Sequence, residues 1–106
     1  MFERLIDRHH AVICAASVEW LEDIVAFDEA REWVDDGATS MSAWLAGQYG
    51  MARGTAREWV RVAHAVRHLP AIRAAFARGE LDFDQLKPLT RFATEDEDEI
   101  WARRAA

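Results

Sequence analysis

The chain has 106 residues, 51% apolar and 30% charged, with a net charge of −6. That length allows one domain with a small core, and the single cysteine, Cys14, excludes an internal disulfide and a cysteine-based zinc site. The longest apolar run, Ala11 to Val18, is too short to span a bilayer, and acids interrupt Arg4 and Arg8 ahead of it, so no membrane anchor or signal peptide is expected and the cytoplasm is the expected compartment.

Abundant alanine and few glycines or prolines favour helix throughout, and no segment alternates polar and apolar residues long enough for a strand. The expected fold is all-α, with about six helices. Phe2, Leu5, His9, Val12, Ala16, Trp20, Ile24 and Phe27 recur at helical spacing, widened by Ile6, Ile13, Leu21 and Val25. They predict a long first helix over about residues 3–33, within a segment 1–34. For so small a domain that helix is long enough to leave part of its apolar face for a partner chain, and a homodimer through it is one expectation. His9 belongs to the stripe and is expected to pack, and Cys14 is expected to be a buried small hydrophobe.

The turn "DDGATS", residues 35–40, offers Thr39 or Ser40 as a cap for a second helix over 41–49 that stops at Gly50. A third helix runs from about Arg53 to His68. Pro70 opens a fourth, where its missing N–H is harmless, and Gly79 closes it. Asp82 to Gln85 reads as a capping box for a fifth helix, which Pro88 is expected to kink or end early. Thr94 to Glu97 is a second capping box. It opens a sixth helix through Ile100 and Trp101, with "EDEDE" placed to complement the helix dipole. The five tryptophans are spread along the chain and are expected to pin helix to helix.

Residues 40–69 carry the chemistry. A helix-turn-helix needs a small residue where the two helices pack, a turn residue tolerant of positive φ, and an apolar inner face on the second helix. Ala46, Gly50 and the set Ala56, Trp59 and Val60 supply these, with Leu45 and Tyr49 completing the contact. On the outer face Arg53, Arg57, Arg61, His64 and His68 fall within an arc of about 80°. The wider charge pattern agrees: residues 1–49 sum to −7, residues 50–78 to +5 and residues 79–106 to −4. A basic helix end of this kind suits the major groove of double-stranded DNA. Arg53, Gly54, Thr55 and Arg57 stand nearest the bases, with Arg61, His64 and His68 towards phosphate. The bland alternative is a solvated surface helix on which Glu58 pairs with Arg61 or Arg57. His64 and His68 have chelating spacing but no nearby third ligand, no catalytic triad or phosphate loop is present, and neither metal, cofactor nor enzymatic activity is expected. A protein-interaction or homodimerisation module without nucleic-acid binding is the competing expectation.

Residues 33–95 resemble the helical domain of the 13E12 repeat family, a domain of unknown function common in actinobacteria and their phages. The resemblance is carried by Gly37, Ser42, Trp44, Leu45 and Ala46, by Gly50, Thr55, Ala56 and Arg57, and by Leu69, Pro70, Gly79, Glu80 and Leu81. In that family the domain often precedes an HNH nuclease module. The four histidines here are not in HNH arrangement, so the resemblance implies a nuclease-associated domain without the nuclease, as the front part of a longer protein or a stand-alone relative. The order helix-turn-helix, "LP", short helix, "GEL" is also similar to the DNA-docking domain of ParB-type partition proteins, departing from it at Ala52 and Pro88.

Overall fold

The computed structural model describes residues 1–105, and every regular element among them is helical. Six α-helices appear in chain order: α1 Phe2–Glu29, α2 Met41–Tyr49, α3 Arg53–Val66, α4 Pro70–Ala77, α5 Phe83–Phe92 and α6 Asp98–Ala105. Single 3₁₀ turns stand at Glu32–Val34 and Glu95–Glu97. α3 is the hub, packing on α1, α2 and α5, while α4 bridges α1 to α6. Leu21, Leu45, Val62, Ile72, Leu81 and Leu86 are fully buried at the centre.

The local signals act where the sequence places them. Ser40 caps α2 by accepting from the Ala43 N–H at 3.0 Å, and Gly50 stops it at φ 66°. Asp82 and Gln85 exchange both capping-box bonds at the start of α5, and ahead of α6 the Glu97 carboxylate accepts from the Thr94 N–H at 3.2 Å. Gly79, at φ 79°, needs its lack of a side chain twice over. A Cβ there would strain the backbone and would also meet the His10 ring at 2.9 Å and the Cys14 sulfur at 3.2 Å. The tryptophans join helices as expected. Trp20 meets Trp59 edge-on at 4.8 Å, Trp59 stacks on Phe83 at 3.6 Å, and Trp101 meets Phe92 at 4.9 Å.

Four expectations are corrected. α1 ends at Glu29, short of residue 33, because Arg31 takes a left-handed conformation (φ 55°) and turns the chain so that Trp33 donates to Asp28 at 3.0 Å. α3 ends at Val66, so His68 lies beyond the helix. α5 runs through Pro88 to Phe92. Leu86 and Leu89 are buried on either side of the proline, and that packing holds the helix across one missing N–H. His9 does not pack: both His9 and His10 are exposed, and it is His10 whose ring lies beside Gly79 and 3.5 Å from the Cys14 sulfur.

α1 also divides its apolar residues differently from a single core-facing stripe. Cys14, Leu21, Ile24 and Val25 are buried against the domain. Phe2, Ile6, Ile13, Trp20 and Phe27 share a second strip within about 60° of arc. Its C-terminal part is covered, since Trp20 meets Tyr49 and Phe27 meets Trp44. Its N-terminal part is open: Phe2 is 74% exposed, Ile6 67% and Ile13 62%.

Candidate nucleic-acid interface

The pair α2–α3 turns at Gly50, with the Met51 N–H bonded back to the Ala46 carbonyl at 3.1 Å. Leu45 and Ala46 on α2 and Ala56, Val62, Ala63 and Val66 on α3 are buried between them and the rest of the core. Trp59 and Val60 are half-buried, and Tyr49 is largely exposed. The apolar side of α3 thus faces inward and its opposite side reaches solvent.

Arg53, Gly54, Thr55 and Arg57 all stand exposed at the start of α3. Ala52, the residue before the helix, has no side-chain acceptor, so the first-turn N–H groups have no cap from it. Gly54 leaves open space there, and the nearest atom to its missing Cβ is Nη2 of Arg57, at 3.9 Å. The Arg57 guanidinium therefore reaches back beside Gly54 in a first turn whose N–H groups have no side-chain cap, and positive charge near free N–H groups attracts anions. Neither Arg53 nor Arg57 forms an ion pair among the described residues.

The other basic side chains of α3, and Arg67 and His68 just beyond its end, are held within the chain. Arg61 donates to Glu58 at 3.0 Å, to Thr90 Oγ1 at 3.2 Å and to the Lys87 carbonyl at 3.0 Å, tying α3 to α5. His64 Nε2 lies 2.7 Å from Asp28 at the end of α1, and Arg67 donates to Glu29 at 2.6 Å. His68 faces Glu95 at 3.6 Å. His64 and His68 have different carboxylate partners on different segments. Acids from α1 and from the turn before α6 thus cover the C-terminal half of α3 and leave its N-terminal half open.

Sequence reading missed two basic residues beside this surface, Lys87 and Arg91 on α5. Arg91 joins Arg61 on the Glu58 carboxylate, and Lys87 lies 3.5 Å from Asp84. Arg53 and Arg57 at the start of α3, followed by Arg61 on the same helix and by Lys87 and Arg91 on the α5 that Arg61 grips, set five cations against the two carboxylates Glu58 and Asp84. Nothing in a local window signals this, because Glu58 and Arg91 are 33 residues apart. The hydrogen bond from Arg61, helped by the charges of Arg61, Arg91 and Lys87, holds the Glu58 carboxyl below its usual value of 4.5. A depressed carboxyl contributes stability above its unfolded pKa and loses it as pH falls through the folded value. The α3–α5 clasp should therefore weaken below about pH 4.5. Acid-unfolding curves should show it: Glu58→Gln should flatten the pH dependence in that window, and parallel curves would mean the pair contributes nothing.

Fold and surface together define an all-helical domain built round a helix-turn-helix pair with a basic ridge at the exposed start of its second helix. The chain belongs to the family described as Domain of unknown function (DUF222), whose model matches residues 4–105. The 13E12 repeat is the same family under an older name, and the match takes in α1 and α6 as well as the central segment. No curated protein and no solved structure shows a significant match. Among the described residues no helix is long and apolar enough to cross a membrane.

Proposed function

We propose that this chain is a non-catalytic double-stranded DNA-binding module, working in the cytoplasm, with the start of α3 as its contact surface. The observation that carries this reading is the pairing of two unpartnered arginines, Arg53 and Arg57, with the uncapped first turn of α3. Gly54 and Thr55 let the duplex backbone approach those N–H groups. Lys87 and Arg91 extend the positive surface along α5, and Arg61 acts as the strut that orients it. In a longer relative carrying an HNH module, such a domain would deliver the nuclease to duplex.

The test is a binding isotherm on random-sequence duplex at 50 and 200 mM salt. With about three phosphates neutralised, affinity should fall by roughly 40-fold between the two. Binding that ignores salt, or no binding at either concentration, removes the proposal.

A second reading is favoured by one observation, the open apolar strip of Phe2, Ile6 and Ile13 on α1. Such a strip fits a protein-interaction or homodimerisation module without nucleic-acid binding. Light scattering with and without duplex separates the two: a stable dimer indifferent to DNA supports this second reading.

A further inference from the structure

Where α1 passes α2, a cavity of about 200 Å³ has four aromatic side chains in its wall, Trp20, Phe27, Trp44 and Tyr49, with Ile24, Met41 and Leu45 as its aliphatic lining and Asp23 as its acid. The Tyr49 ring stands nearly perpendicular to both indoles, at 71° to Trp20 and 88° to Trp44, with centroids 6.3 and 6.2 Å away. Phe27 tilts against Trp44 at 4.6 Å. The walls are fixed from behind. Trp44 donates its Nε1–H to Asp36 at 2.8 Å, and Trp20 is braced edge-on by Trp59 at 4.8 Å. Tyr49 remains 55% exposed, which leaves the cavity reachable from solvent.

Asp23 sits on the rim, exposed, with no ion pair or hydrogen bond among the described residues. The surrounding segment is acidic: Glu19, Glu22, Asp23 and Asp28 lie on the same stretch of α1. Aromatic rings set steeply to one another, a free carboxylate and a negative field share one complement. A cation with an apolar surface gains from ring quadrupoles and from the carboxylate, and loses little hydration on entry. A cavity of about 150 Å³ holds benzene, so this one has room for a trimethylammonium head. An anion would be repelled, and a neutral apolar guest would leave Asp23 unused.

We propose that this cavity is a binding site for a small organic cation bearing a methylated ammonium group. It is independent of the DNA reading, since none of its lining residues belongs to the basic ridge.

The experiment is a titration of the intact chain with choline, followed by the indole N–H resonances of Trp20 and Trp44, against sodium chloride at matched ionic strength. Choline should saturate with a Kd of about 1–10 mM. The neutral isostere 3,3-dimethyl-1-butanol, which keeps the shape and removes the charge, should bind at least ~5-fold more weakly. Asp23→Asn and Tyr49→Leu, both at exposed positions, should each weaken choline by ~3-fold or more while leaving the fold intact. No saturable shift, equal binding of the isostere, or both variants matching the wild type would overturn the assignment. The duplex isotherm is a separate readout and is unmoved by any of these outcomes.

Discussion

Arg57→Glu should weaken duplex binding by about 10-fold, and Arg53→Glu combined with it by about 100-fold, in fluorescence-anisotropy titrations at low salt. Each reversal removes an attraction worth roughly 1–3 kcal/mol and replaces it with repulsion. The two positions are one helical turn apart on the same exposed face, so their effects reinforce each other at a single phosphate run. Neither side chain has an ion-pair partner among the described residues, so the variants should melt with the wild type. Arg61 supplies the contrast. Its guanidinium is tied to Glu58, Thr90 and the Lys87 carbonyl, so Arg61→Met should lower stability and leave the salt slope of binding nearly unchanged. The opposite pattern, with Arg57→Glu silent and Arg61→Met defective in binding at unchanged stability, would take the contact surface away from the start of α3.

Asp98→Ala should destabilise the fold by about 2–3 kcal/mol, lowering the melting temperature by roughly 10–20 °C in a calorimetric scan. Asp98 is only 4% exposed, with no basic side chain in salt-bridge contact among the described residues. Its two carboxylate oxygens accept from the N–H groups of Ala71 at 2.6 Å and Ile72 at 2.9 Å, in the first turn of α4. That turn cannot cap itself. Leu69 before it has no acceptor, and Pro70 has no N–H to offer. One carboxylate at the start of α6 thus serves as the missing cap of α4, 26 residues earlier, and the α4 dipole helps to stabilise its buried charge. Alanine would leave a buried donor at Ile72 and a half-buried one at Ala71 without acceptors. Asparagine keeps one acceptor but turns an amide N–H₂ towards the other donor, so Asp98→Asn should fall between the two. Wild-type stability in both variants would show that water replaces the carboxylate at no loss.

The boundaries of α2 and α4 and the start of α5 were legible in short windows, whereas the end of α5, which runs on through Pro88, was not. Ser40, Gly50, Pro70, Gly79 and the Asp82–Gln85 pair act through bonds to residues within four positions and through backbone angles that one side chain decides. The inward set of α3 and its exposed arginines at Arg53 and Arg57 were legible too, because a period of 3.6 residues separates faces without reference to any neighbour. The end of α1 was not. The apolar period continues past Glu29, but Trp33 finds Asp28 only when Arg31 turns the chain back.

What the chain's order of residues left open was which charges remain free. Arg53, Arg57 and Arg61 look alike on a helical projection, yet α5 occupies one and leaves two. "EDEDE" reads as one acidic helix start, yet Asp98 turns away from solvent to cap α4 while its neighbours stay exposed. Lys87 and Arg91 join the basic ridge from a helix whose own surroundings give no hint of it. A cap or a turn is settled by atoms a few bonds apart, and those bonds travel with the sequence. Whether a guanidinium meets solvent or a carboxylate 33 residues away is settled when helices pack, because only packing brings Glu58 and Arg91 together.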